Sequence, residues 1–311
     1  MASSLTPRAV VVTRATDLEL LVREHGTQRQ ARFMTQDRPG WFDEAVRRDE
    51  LQRSTVSIVL EMLPSSWRRV RIDRDDLATF IFAPEDVVVP VGQDGLVANV
   101  AKYLDGQPVL GVNPDPENVA GALVRFSCAE FETAINALVE HSVTVEERTL
   151  IQAKLDDGQT LLALNEIFVG HRSHQSARYR IVLDDREERQ SSSGVIVASG
   201  TGATGWARSI ARERNMQLDI NARSSQLAVF VREAWPAPGF GTDLTAGFVN
   251  GGAVAVTSEM GDGGVIFGDG IEADYIRFTW GGRVEIRAAA RTLHLVSQAV
   301  RSGASSFGVV R

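Results

Sequence analysis

The chain has 311 residues, of which 43% are hydrophobic and 23% charged, with a formal net charge of −7. This length builds one large domain or two ordinary ones, and two is the expectation; the composition excludes the disordered and disulfide-stapled classes, and the acidic balance argues against a nucleic-acid footprint. A single cysteine, Cys128, closes no disulfide within the chain. No run of about 18 uncharged apolar residues is present to span a membrane, and the start MASSLTPRAVVVT lacks the pattern of an export leader, so a cytoplasmic protein without a membrane partner is expected.

In chain order, the text AVVVT near the start reads as a strand, and Asp17 to Glu24 reads as a helix. The stretch DVVVPVGQDG, 86–95, is a β-branched run ending in a tight turn, after which Leu96, Val97, Val100, Ala101 and Leu104 recur at helical spacing. Such alternation predicts parallel strands joined by helices: an N-terminal Rossmann-like α/β domain over residues 1–125. From about Val143 the text turns to short, glycine-punctuated, alternating runs, which predicts a β-rich, sandwich-like domain over residues 126–311. In YIRFTWGGRVEIRAAA, Ile276, Phe278 and Trp280 point one way, and Gly281-Gly282 is read as a hairpin turn. Trp41, Trp67, Trp235 and Trp280 are expected as core or interface aromatics, and the tail RSGASSFGVVR as a loosely tied end.

Three motifs carry chemistry. In Gly92-Gln93-Asp94-Gly95 the glycines let backbone approach an anion and the helix start offers amides to phosphate; Asp94 either acts on a hydroxyl beside that phosphate and helps hold Mg²⁺, or only shapes the turn and caps the helix. In LLALNEIFVG, Asn165-Glu166 interrupts an apolar run; an amide beside a carboxylate suits a ribose diol, and an edge pair facing water is the bland alternative. The third, VIVASGTGATGWARSIARER, holds G-x-G-x-x-G at Gly200, Gly202 and Gly205. A Rossmann turn there would leave too little chain for the rest of its sheet, and a Walker loop fails because no Gly-Lys-Ser/Thr follows. His171 and His174 have metal-like spacing but follow a strand without partners at ligand spacing, so they are read as a surface loop and no residues are assigned to a metal.

Taken together and in this order, the motifs resemble those of the NAD kinase family, ATP-dependent enzymes that phosphorylate the adenosine ribose 2′-hydroxyl of NAD. The family's Gly-Gly-Asp-Gly-Thr falls on residues 92–96, its Asn-Glu on Asn165-Glu166, and its Thr-Pro-Thr-Gly-Ser-Thr-Ala-Tyr on residues 199–206. PVLGVNPD, VEERTL and VIFGDGIE resemble further family segments, so the likeness runs from about residue 86 to about 296. It implies an active site between an α/β and a β-rich domain, with Asp94 catalytic, Gly92, Gly95 and Asn113 at the phosphates of ATP, and Mg²⁺ as cofactor. It also implies that Asn165, Glu166, Thr201, Gly202, Thr204 and Trp206 hold the dinucleotide, and that the protein is a homo-oligomer, a dimer or tetramer.

The sequence departs from the family at several points. Gln93 stands for a glycine, Leu96 for a threonine and Gly205-Trp206 for Ala-Tyr, while Pro114 and Pro116 stiffen a loop that the family keeps supple. Residues 26–67 exceed what a minimal member needs and are read as a cover or an assembly surface. Two alternatives stay open: a kinase of the same fold acting on another nucleoside, sugar or lipid hydroxyl, and a nucleotide-binding regulator with weak catalysis.

Overall fold

The run of small β-branched residues at the start forms β1 (Arg8–Thr13), in which every side chain after Arg8 is buried, as befits a parallel strand covered on both faces. The structure, a computed structural model, describes residues 6–299; the tail expected to be loosely tied, 301–311, lies outside them. The chain divides into two compact units. Among the described residues the first comprises 6–97, 107–146 and 294–299, and the second comprises Ala98–Gly106 and Glu147–Leu293.

In the first unit, β1 is followed by α1 (Asp17–His25), α2 (Gln28–Met34) and α3 (Trp41–Met62), then β2 (Arg68–Asp73) and β3 (Asp86–Pro90). α1 begins at a capping box in which Thr16 and Glu19 satisfy each other's backbone N–H groups. After the turn at residues 91–93 come α4 (Asp94–Ala101), β4 (Pro108–Val109) and α5 (Cys128–Val139). β1 pairs in parallel with β2 and with β3, and β3 in parallel with β4. The α/β alternation expected for the N-terminal part is therefore present. The expected boundary at 125/126 falls inside this unit, because α5 lays Phe131, Ala134 and Ile135 into one core with Val11, Val89 and Val112. The segment 26–67, expected as a cover or assembly surface, serves that same core: α3 contributes Val56 and Val59, both buried.

The second unit is built from antiparallel strands: β5 (Val143–Leu155), which enters it at Glu147, β6 (Thr160–Ala163), β7 (Glu166–His171), β8 (Ala177–Leu183), β9 (Arg186–Ser192) and β10 (Val195–Ala198). After α6 (Trp206–Glu213) follow β11 (Gln226–Val231), β12 (Ala246–Asn250), β13 (Val254–Ser258), β14 (Gly264–Gly268), β15 (Ile276–Arg277) and β16 (Arg283–Ala299), which from His294 belongs to the first unit and pairs there in parallel with β4. Six of these form one sheet in the order β12-β11-β10-β7-β14-β15. Its inner face, carrying Ile167, Val169, Val197 and Val229, packs on Tyr179, Ile181, Val256 and Ile286 of the β16-β13-β8-β9 layer, which is a sandwich core. α6 covers the outer face through Ala207, Ile210 and Ala211 against Phe168, Ile196 and Phe230.

Two expectations for the β-rich text need correction. Gly281-Gly282 does not join a hairpin: β15 pairs with β14, whereas β16 pairs with β13, so the chain changes layers at Gly281, whose φ is +80°. Only Phe278 of the alternating trio is fully buried, and Trp280 and Trp235 stand 66% and 65% exposed, outside the core. Among the described residues no helix is long and apolar enough to cross a membrane.

Candidate functional site

At the carboxyl ends of β1 and β3, the first unit gathers Arg14, Gly92, Gln93 and Asn113 around a small cavity of about 80 Å³, walled by Arg48 and Gln52 of α3. This is where a parallel sheet presents ligand sites, and the volume suits a phosphate group better than a nucleoside. Gly92 sits in extended backbone, donates its N–H to the Val112 carbonyl and lies against Leu96, which is buried. The leucine that replaces a family threonine is thus a packing residue beneath the turn. Gln52 reaches the turn from α3 by donating to the Val91 carbonyl.

Asp94 opens α4, and its carboxylate accepts three backbone N–H groups: that of Ala122 at 2.9 Å on Oδ2, and those of Leu123 at 2.8 Å and Val124 at 3.0 Å on Oδ1. A carboxylate has about four lone-pair sites, so the amides fix its plane and leave one acceptor position open. The amide arc depends on glycines, since a Cβ on Gly111 would overlap the Leu123 carbonyl and one on Gly121 the Val124 carbonyl. Asn113, expected at the phosphates, spends its amide on the same loop: Nδ2 donates to the Val119 carbonyl and Oδ1 accepts from the Asp115 N–H. Arg47 of α3 fastens the loop by an ion pair to Asp115 at 2.8 Å. The loop with Pro114 and Pro116 is therefore a bound structure that grips Asp94.

The second unit brings the other two motifs together. Ser199 donates its Oγ–H to the Leu164 carbonyl and its N–H to the Asn165 carbonyl, while its Oγ accepts from Thr201 N–H. Gly202 lies so close to the Asn-Glu corner that a Cβ there would overlap the Asn165 carbonyl, and Gly200 meets the Asn221 carbonyl in the same way. These glycines are needed for backbone crossing backbone, which is why the G-x-G-x-x-G text arises without a Rossmann turn. Thr201 is buried, with its Oγ1 accepting from the buried Arg148 at 3.3 Å, whereas Thr204 is exposed and turns its hydroxyl to the Thr201 carbonyl.

Glu166 is buried rather than facing water, and among the described residues its carboxyl makes no hydrogen bond. Burial, with the neighbouring Asp269 adding to it, pushes its pKa up to about 7. Asp269 is itself raised to about 6 by burial, against the opposing pull of the Leu164 and Asn165 N–H groups that its carboxylate accepts. Asp269 takes a left-handed φ of +54°, which lets it aim at that corner. Sequence reasoning missed this tie, because it joins residues 104 and 105 positions apart.

Beyond the corner, β7 and α6 carry Phe168 and Trp206, whose rings stack at 6.1 Å with an interplanar angle of 16°. They wall a cavity of about 580 Å³ together with Phe267, Arg172, Arg232 and Tyr275. His171, at the end of β7, and His174, exposed in the surface loop that follows, also line it, and His171 Nδ1 accepts from the Ser173 N–H at 3.1 Å. Sequence reasoning missed Phe168 and Arg232, which sit in ordinary strand text. Among the described residues no group of three or more His, Cys, Asp or Glu is arranged to hold a metal.

No family model matches the chain. An NAD kinase of Chlorobaculum tepidum is 29% identical over 127 residues, 40% of this chain and 44% of that protein. The mitochondrial NAD kinase 2 of Rattus norvegicus is 28% identical over 261 residues, 66% of this chain and 60% of its relative. The chain thus spans from under half to about three fifths of the length of these relatives. Among solved structures, an NAD kinase from Archaeoglobus fulgidus in complex with ATP superposes with a TM-score of 0.58 at 19% identity, over 94% of each chain. Yeast NADH kinase complexed with NADH gives 0.61 at 12% identity, over 99% of this chain and 91% of its own. The fold is that of the nucleotide kinases these structures represent. The sequence relatives are NAD kinases as well, so the family resemblance carried by the motifs holds.

Proposed function

We propose that the protein is an ATP-dependent kinase that transfers the γ-phosphoryl group to the adenosine ribose 2′-hydroxyl of a nicotinamide adenine dinucleotide, giving the NADP form. The observation that carries this reading is the paired arrangement of motif residues: a carboxylate oriented by three backbone amides beside a phosphate-sized cavity in one unit, and an unpartnered carboxyl beside a glycine-crossed turn in the other. Sequence kinship with NAD kinases supports it further.

In this reading Arg14, Arg48 and the amides at the start of α4 receive phosphate oxygens, with Gly92 and Gly95 leaving the backbone bare. Phosphoryl transfer asks mainly for position and charge compensation. Asp94, its plane fixed, offers its open lone pair to the proton of the attacking hydroxyl. Glu166 and Asn165 accept and donate to the ribose, and the 201–204 turn with Trp206 holds the remaining dinucleotide. With no three-ligand cluster among the described residues, the chain suits a Mg²⁺ that arrives on the triphosphate and takes at most one or two carboxylates from the protein. When bound, the ion neutralises charge on the transferring group. A cytoplasmic location and a homo-oligomeric assembly belong to the same proposal, supported by the single cysteine and by the family likeness.

The test is product identity. Purified protein is incubated with ATP, Mg²⁺ and a panel of NAD, NADH, nucleosides, sugars and lipid alcohols, and phosphorylated products are identified by mass. The expected product is NADP or NADPH. Transfer to another alcohol would select a different acceptor, and nucleotide binding without product would make the protein a regulator.

A further inference from the structure

We infer that the large cavity of the second unit selects the reduced, uncharged nicotinamide, so that the preferred acceptor is NADH over NAD⁺; this rests on the dinucleotide reading of the preceding section. A dinucleotide whose adenosine is held by Glu166 and the 201–204 turn must place its other half past Trp206, the residue that ends that turn and forms the cavity wall. At about 580 Å³ the cavity has room for that half, and Phe168, Phe267 and Trp206 give it aromatic walls.

The two acceptors differ at the ring by one positive charge, and the cavity opposes that charge. Arg172 and Arg232 line it against a single lining carboxylate, Glu272. Glu233 pairs with Arg232 at 3.5 Å but does not line the cavity. An aromatic wall would ordinarily attract a cationic ring. Here the strongest such receptor is occupied, because the Arg232 guanidinium lies 5.3 Å from the Trp206 ring centroid and Phe168 stacks on the same indole. The cationic nicotinamide therefore meets the Arg172 and Arg232 guanidinium groups without a free indole face, whereas the neutral dihydronicotinamide brings no charge for them to oppose and gains the apolar walls.

Equilibrium binding separates the two acceptors without requiring turnover. Titration calorimetry of the full chain with NADH and with NAD⁺, in the absence of ATP, is expected to give an NADH affinity at least about tenfold higher. In Arg172→Gln/Arg232→Gln the ratio should fall toward one. Equal affinities, a preference for NAD⁺, a ratio unmoved in the variant, or no binding of either dinucleotide would overturn the inference. Selective NADH binding without phosphorylation in the presence of ATP and Mg²⁺ would leave the inference standing and remove the proposed kinase activity. Phosphorylation of both acceptors with equal affinity would do the reverse.

Discussion

Glu166 has the most perturbed environment of the motif residues, and its protonation is coupled to both stability and binding. Its carboxyl ionises near 7 in the folded protein, above its ordinary value of 4.5. Between those values the native state binds more protons than the unfolded state, so this residue's contribution to stability falls as pH rises and reaches a cost of up to about 3 kcal/mol above pH 7. Glu166→Gln removes the titration, and denaturant unfolding at pH 5 and pH 8 should show the variant gaining relative to wild type at the higher pH. A ribose hydroxyl donates more strongly to a carboxylate than to a carboxylic acid. Acceptor affinity should accordingly rise from pH 6 to pH 8 in the wild type and stay flat in the variant. A pH-independent wild-type affinity would contradict the assigned role.

In the proposed function, transfer depends on the turn-and-loop pair around Asp94. Gly121 has no room for a methyl group against the Val124 carbonyl, so Gly121→Ala displaces the amides of residues 122–124 from the carboxylate. Steady-state kinetics should show kcat lowered by at least about tenfold with acceptor KM little changed, since misplacement by an ångström is costly in a positioned reaction. Phe131 of α5 is fully buried in the core that also holds Val91 and Val112, and Phe131→Ala is expected to destabilise the first unit by about 3–5 kcal/mol in denaturant unfolding.

How much was legible in the sequence follows from the range of each interaction. The β3 strand, the turn and α4 were readable because β-branched run, glycines and helical spacing adjoin in the chain, and so was the strand-to-helix text ending in α6. The grip on Asp94 was not, because its amides lie 28 to 30 residues on and a backbone donor carries no side-chain signature. The apparent hairpin at Gly281-Gly282 failed for a related reason: alternation fixes which way a side chain points but not which strand lies beside it, and Gly264 rather than residue 283 or beyond accepts the Phe278 N–H. The exposed Trp235 and Trp280 likewise show that aromatic type alone does not assign burial.

At the scale of the whole molecule the proposed function divides its chemistry between the two units. The first holds the amide-gripped carboxylate and the phosphate-sized cavity, and the second holds the Asn165-Glu166 corner, proposed to take the ribose, and the aromatic cavity. Damage to one half should therefore leave the other half's property intact: substitutions at Asp94 should spare dinucleotide affinity, and substitutions at Glu166 should weaken it. The most direct measurement is transfer of label from γ-labelled ATP to the dinucleotide by wild type and by Asp94→Asn, with dinucleotide binding measured on both. Labelled 2′-phosphate is expected from the wild type, with a loss of at least about 100-fold in the variant and unchanged dinucleotide affinity. Wild-type transfer that survives in Asp94→Asn, or no transfer by the wild type at all, would contradict the proposed function.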